Sequence, residues 1–392
     1  MTRVVFFSES LPPSSDPIAQ FSFDFIRSLS VQDYDVKLLT TFEAREHLPA
    51  DLGSIEILQP LQKWNWLELP KVAQLLFQIR PDVVHVMQPY RESLRGLTNI
   101  FTMLPGVLPL LGNPILVTSL FDCRDEYFKQ IRILLESSDA ITVSRQPQRQ
   151  AIERFFSNKT KKPLIQVLPI SGTNPIGDSS DSEDNESMLE KNILDFFSQH
   201  KKVILLPGVL DSHRHLDELF TIFHLLMSAD PDVAVVALGD WGNISKIRRQ
   251  KLVSYFSATH TRARFYLTGP VNPRIEQICF NQAYLSFLAA LPNESFELTR
   301  LLRLALSVES AMVINAEQAF FDPLPWEDEE TVLLTSSSPI SWGAKLARGI
   351  EDELLVQKIK MSSKLTGLHS ILDQPTNIAS RLYTDTIARR HL

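Results

Sequence analysis

Residues 203–240 read VILLPGVLDSHRHLDELFTIFHLLMSADPDVAVVALGD. The runs that open at Val203 and at Val233 are apolar throughout and lack the alternation of a half-solvated strand. That predicts strands covered on both faces. Pro207 and Gly208 close the first run, a short polar turn follows, and ELFTIFHLLMSADP reads as a helix. Strand, glycine turn, helix and strand together make a parallel βαβ unit, which is the repeating element of a sheet layered with helices.

The same alternation extends outward in both directions. Toward the carboxyl end come RFYLTG (from Arg264), YLSFLAAL (from Tyr284), MVIN (from Met312) and VLLT (from Val332), and then helical patterns from Pro339 onward. Toward the amino end the series is interrupted by SGTNPIGDSSDSEDNESMLEKN (171–192), which is rich in Gly, Ser, Asp and Glu and reads as an acidic surface linker. Before it lie VVFF (from Val4), VKLL (from Val36), IEIL (from Ile55), VVHVM (from Val83), ILVTSL (from Ile115), AITV (from Ala140) and LIQVL (from Leu164), with helical segments between them. The predicted fold class is α/β, with two doubly wound Rossmann-like domains whose crossovers are right-handed. The expected boundaries are 1–170, a linker over 171–195, 196–374, and a closing segment 375–392. Open α/β sheets bind ligands beyond the carboxyl ends of their strands, so two such domains are expected to face a shared central cleft.

Composition narrows the function. The chain has 392 residues, 44% hydrophobic and 22% charged, with a formal net charge of −7. That length suits two cores, and the acidic balance argues against a nucleic-acid partner held by general electrostatics. Two cysteines, Cys123 and Cys279, make no disulfide framework, and a cytoplasmic location is expected. Residues 96–121 contain no charge, yet Pro105, Pro109 and Pro114 with Gly106 and Gly112 would break a spanning helix. The stretch is expected to be helix end, loop and buried strand, leaving room for a peripheral membrane contact by the first domain.

Several chemistries are missing. No G-x-G-x-x-G follows the first strand, and P-loop, H-E-x-x-H, C-x-x-C and G-x-S-x-G motifs are absent. His213 and His215 stand two apart with no carboxylate or cysteine arranged around them, so no metal is expected. What remains lies at strand ends. Gly208 and the turn through Arg214 lead into a helix, the arrangement in which backbone N–H groups hold an anion, and Arg214 can add a bidentate phosphate contact. In ALPNESFELTRLLRLALS, Pro292 to Glu294 close a strand and Ser295, Phe296, Glu297 and Leu298 open a helix. A carboxylate there caps the helix dipole or, in a sugar site, accepts hydroxyl hydrogen bonds and stabilises a cationic transition state.

The ordered set PGVLDSHRHLD, PDVAVVALGDWG, RFYLTGPVNP and ALPNESFELTRLLRLAL resembles the donor domain of retaining GT-B glycosyltransferases of the glycogen-synthase-like class (glycosyl transferases group 1). RPDVVHVMQP, PILVTSLFD, DAITVSRQ and QVLPISG resemble that family's acceptor domain, and NIASRLYTDTI its terminal helix, which crosses back onto the first domain. The resemblance implies a hexosyltransferase of polysaccharide biosynthesis, moving sugar from a nucleoside-diphosphate donor to a glycan or lipid-linked acceptor. It implies no metal and no cofactor beyond the nucleotide sugar. By the same resemblance Glu294 faces the donor sugar, while Arg214 and the amides around Gly208, Ser295, Phe296 and Leu298 hold the diphosphate. Gly269, Pro270 and Val271 pack beside the base. Asp122 is the polar group nearest the family's histidine position, which here reads LFD.

The donor motifs are degenerate. The family's arginine after the glycine is Val209, and its lysine five residues on is Arg214. The second of its two spaced glutamates falls on Leu302, and a family glycine beside the diphosphate is Glu297, a like charge unless it turns away. The paired glycines expected near Ser14–Ala19 are absent. Two functions therefore stay open: a transferase, and a catalytically inactive homologue serving as a partner-binding or glycan-binding subunit. The aromatics Trp64 and Trp66 are expected to cover a helix entry rather than stack on a sugar.

Overall fold

The computed structural model describes residues 1–9, 11, 17–41, 54–58, 61–89, 99–121, 125–168, 183–208, 210, 215–239, 241–242, 244–257, 261–291, 296–321, 324–372 and 375–390. They form two compact units, residues 1–170 with 373–392, and residues 171–372.

The first unit holds strands β1 (Thr2–Phe7), β2 (Tyr34–Leu39), β3 (Glu56–Ile57), β4 (Val83–Val86), β5 (Ile115–Leu120), β6 (Ala140–Val143) and β7 (Leu164–Val167). They lie in the order β3-β2-β1-β4-β5-β6-β7 and all pair parallel, with Val4 opposite both Val36 and Val83. Between them run α1 (Pro17–Ser30), α2 (Leu69–Ile79), α3 (Ile100–Val107), α4 (Asp125–Gln130), α5 (Arg132–Ser137) and α6 (Gln146–Phe155). The charge-free stretch resolves as expected from its prolines: α3 begins at the Asn99 cap, a 3-10 turn covers Leu108–Leu111, Gly112 turns left-handed at φ 89°, and β5 follows, buried throughout. Trp64 is buried and stacks on Phe101 at 5.2 Å at the entry to α3, whereas Trp66 is 48% exposed.

The second unit opens with α7 (Glu183–Gln199), so the acidic segment expected as linker to residue 195 is helical from Glu183. Composition alone misled there because three apolar residues, Ile193, Phe196 and Phe197, are enough to seat the helix against the sheet. Strands β8 (Lys202–Pro207), β9 (Val233–Leu238), β10 (Phe265–Leu267), β11 (Leu285–Phe287), β12 (Met312–Asn315) and β13 (Leu333–Thr335) follow in the parallel order β10-β9-β8-β11-β12-β13. The helices are α8 (Leu216–Ala229), α9 (Lys246–Ser257), α10 (Pro273–Gln282), α11 (Phe296–Ser307), α12 (Ala316–Phe321), α13 (Pro339–Glu351) and α14 (Glu353–Leu372).

The sheet explains the unbroken apolar runs. Ile204 and Leu206 pack in one layer with Leu219, Phe223 and Met227 of α8 and Leu346 of α13. Val203 and Leu205, pointing the other way, pack with Phe280 of α10 and Leu301 of α11. Each strand residue thus meets a helix whichever way it points, and burying each such aliphatic side chain contributes about 1.5–3 kcal/mol.

The last helix, α15 (Pro375–Arg390), belongs to the first unit. It buries Pro375, Ala379, Leu382, Tyr383 and Thr386, a single face at helical spacing. Ser380 Oγ lies 2.9 Å from Gln32 Oε1, and Arg390 pairs with Asp139 at 3.0 Å. Among the described residues no helix is long and apolar enough to cross a membrane.

Candidate functional site

Counted from the first strand of each unit, the sheets run 3-2-1-4-5-6-7 and 3-2-1-4-5-6, and in both the strand order reverses between strands 1 and 4. Loops leaving those two strands diverge to opposite faces and leave a crevice, which is where open α/β sheets take ligands. In the second unit the reversal falls between β8 and β11, which pair directly, Leu285 with Ile204 and Ser286 with Leu205. Their exits therefore emerge side by side. Gly208 leaves β8 and Leu288–Leu291 leave β11.

Gly208 is buried and sits at φ 84°, a left-handed conformation open to glycine at no steric cost. His215, at the amino end of α8, is also left-handed at φ 50°, so the chain turns sharply at both ends of the polar segment. Arg214 lies outside the described residues. The first turn of α8 carries Asp217 and Glu218, and Asp217 is paired with Arg248 at 2.9 Å and with Lys251 at 3.9 Å. Two cations thus balance a carboxylate that would otherwise repel an anion at this helix end.

Gly269 follows β10, two strands away from β8, at φ 75° and bridged to Gly239 of the β9 exit. Nothing stands within 4 Å of where its Cβ would be, so backbone conformation and not crowding calls for glycine. Pro270 is exposed and Val271 half-buried beside it.

The β11 exit is a turn closed by the Leu291 N–H donating to the Leu288 carbonyl at 3.0 Å. Pro292, Asn293, Glu294 and Ser295 lie outside the described residues, as does Asp122 in the first unit. α11 begins at Phe296, and every residue from Leu298 to Leu306 is buried. Leu298 spends its side chain on the core. Leu302, where the resemblance places a ribose-binding glutamate, is also fully buried in that core. It is a packing residue here, since an ionised glutamate in an apolar layer with no partner is strongly disfavoured.

Glu297 is held in an ion-pair network that joins two helices. Its carboxylate accepts from Arg300 at 3.0 and 3.2 Å, and Arg300 in turn donates to both oxygens of Glu276 on α10, at 2.5 and 2.8 Å. Burial alone would lower the guanidinium pKa, but the facing carboxylates of Glu297 and Glu276 hold it well above its ordinary value. The negative charge at the start of α11 is therefore tied down. The spacing of Glu297 and Arg300, three apart on a helix, was legible in the sequence, whereas Glu276 enters only through the tertiary fold.

Cys279 is buried, and burial, with the nearby Glu276, pushes its thiol up to about 12, so it stays protonated and is no nucleophile.

No family model matches the chain, and no curated protein does. Solved structures do. The chain is similar to Alr3699/HepE of Anabaena in complex with UDP and glucose, at 14% identity and a TM-score of 0.67, with 99% of this chain and 100% of that one covered. It is similar to sucrose-phosphate synthase from Thermosynechococcus elongatus, at 14% identity and a TM-score of 0.68, with 99% and 100% covered. It is also similar to WaaG, a glycosyltransferase of lipopolysaccharide biosynthesis, at 13% identity and a TM-score of 0.64, with 97% and 99% covered. At such identities the likeness is one of fold, and it runs the length of the chain: two parallel-sheet α/β units of seven and six strands, the architecture of the GT-B glycosyltransferases.

Proposed function

We propose that the chain is a retaining glycosyltransferase that takes a sugar from a nucleoside-diphosphate donor. The observation that carries this is the adjacency of β8 and β11 at the reversal of strand order, with a left-handed glycine at one exit and a helix start at the other. Full-length likeness to proteins solved with UDP, glucose or UDP-glucose supports a nucleotide-sugar donor.

In this proposal Arg214 and the amides near Gly208 and at Ser295, Phe296 and Leu298 hold the diphosphate, and Gly269, Pro270 and Val271 flank the base. Glu294 faces the donor sugar. The leaving diphosphate itself accepts the acceptor's proton on the same face, so no separate strong base and no metal takes part. Charge developing on the diphosphate is stabilised by prearranged N–H groups and a guanidinium, which is where such sites gain most of their rate. The acceptor is a glycan or a lipid-linked sugar. For a lipid-linked one, the exposed side chains of Met103 (42% exposed) and Leu110 (80% exposed) supply an apolar approach on the first unit.

Replacing Arg214 with alanine tests the assignment. Loss of a charge-assisted phosphate contact is expected to weaken donor binding by about 10-fold or more. Unchanged affinity and turnover would show that Arg214 does not touch the diphosphate.

A further inference from the structure

In each unit a buried glutamine ties two neighbouring strand exits together, with the same geometry. In the second unit, Gln318 is the third residue of α12 and is fully buried. Its Oε1 accepts from the backbone N–H of Asn315, the residue before the helix, at 2.8 Å, and its Nε2 donates to the Leu291 carbonyl at 3.1 Å. In the first unit, Gln148 is the third residue of α6 and is 2% exposed. Its Oε1 accepts from the Arg145 and Ser144 N–H groups at 3.0 and 2.8 Å, and its Nε2 donates to the Phe121 carbonyl at 2.9 Å. Half of this is an ordinary capping arrangement, in which a glutamine at the third helical position reaches back to the start of its helix. The other half is not, because the amide nitrogen crosses to the adjoining strand.

Both carbonyls that are caught lie beyond the end of a strand, Phe121 one residue past β5 and Leu291 four past β11. Phe121 directly precedes Asp122, and its own N–H is held by Gln88 Oε1. Leu291 stands three residues before Glu294 and one before the segment that leads into α11. The strand pairs correspond when counted from the carboxyl-terminal edge of each sheet: with β7 and β13 as the first strands, β6 with β5, and β12 with β11, are the second and third. A buried amide whose donors and acceptor are committed in this way resists displacement, because an unmade hydrogen bond there carries the full desolvation penalty.

We propose that Gln318 is a positioning residue of the donor site, with Gln148 as its counterpart on the acceptor side. By fixing the Leu291 carbonyl to the start of α12, Gln318 sets where the chain departs toward Glu294 and the α11 amides. The proposal rests on the nucleotide-sugar function above, and its test separates the two. The full chain is examined by amide hydrogen exchange and by titration with UDP, GDP and ADP. Gln318→Met loses both bonds at similar length. It is expected to speed exchange in residues 291–296 about tenfold, to leave β9 and β10 unchanged, and to weaken the best-bound nucleotide about tenfold. Gln318→Glu still accepts from Asn315 but donates to Leu291 only when protonated. Its nucleotide affinity is expected to climb toward that of the parent from about pH 8 to about pH 5, a dependence that packing alone would not produce. Parental exchange and affinity in folded Gln318→Met would overturn the proposal. Should that variant not fold, a Gln318→Glu variant with the pH dependence of the parent would overturn it. A parent that binds no nucleotide would refute the nucleotide-sugar function, and the exchange measurement alone would then decide whether the tether exists.

Discussion

Nδ1 of His85 lies 2.6 Å from the hydroxyl of Tyr383, fastening β4 to the terminal helix α15. The other ring nitrogen, Nε2, lies 2.7 Å from the Ser119 hydroxyl on β5, which continues to Thr142 on β6 at 2.6 Å. All four side chains are buried. Removing the hydroxyl leaves a buried ring nitrogen without its partner, so Tyr383→Phe is expected to destabilise the first unit by about 1–3 kcal/mol. Urea unfolding checks this, and a loss below about 0.5 kcal/mol would contradict it.

Burial holds the His85 imidazole neutral, with its pKa lowered to about 3. The unfolded chain binds a proton near the ordinary value of about 6.5, while the folded chain does not until far lower pH. The stabilisation is therefore complete above about pH 6.5 and is lost as pH falls from there toward about 3, at about 1.4 kcal/mol per pH unit. Between about pH 7.5 and 5.5 the parent should lose about 1.4 kcal/mol more than a folded His85→Gln variant. Parallel pH dependences for the two proteins would refute the assignment.

Arg300 is buried between two carboxylates, so Arg300→Met strands the Glu276 carboxylate, whose side chain is only 9% exposed. A loss of about 3–5 kcal/mol is expected, and adding Glu276→Leu should recover part of it. Equal stability of the single and double variants would show that the pair is not coupled.

Two glycines of α13 should respond oppositely. A Cβ on Gly349 would meet Leu333 Cδ1 at 3.0 Å and Leu285 Cδ2 at 3.1 Å, both in the sheet core, whereas one on Gly343 meets only Ile222 at 3.7 Å. Gly343→Ala should gain about 0.5–1 kcal/mol from helix propensity. Gly349→Ala should lose about 1–3 kcal/mol from overpacking, visible as a lower melting temperature. Equal shifts would contradict the close approach.

Strands were the most legible part of the chain. All thirteen apolar runs became strands: the inner ones are largely buried on both faces and so mainly apolar, while β3, β7 and β10 at the edges are only partly buried. The adjacency of β8 and β11 was legible only as a consequence of fold class. The acidic segment misled because charge dominates its composition while Ile193, Phe196 and Phe197 decide its packing. Within the candidate site, Gly208 announced itself by residue type, since a positive φ selects glycine. Gln318, Gln148 and Arg300 did not, because each acts across elements: SRQPQ and NAEQ show a capping pattern, but nothing local says that the amide reaches a second strand. Leu302 shows the reverse, a position named by resemblance that turns out to serve the core.

Calorimetric titration of the full chain with UDP-, GDP- and ADP-sugars tests the central claim most directly. Saturable binding of at least one donor at a single site, with a Kd of about 1–1000 μM, is the result expected of a nucleotide-sugar crevice at β8 and β11. Absence of saturable heat for every donor up to about 10 mM would contradict the transferase function and leave the fold serving another partner.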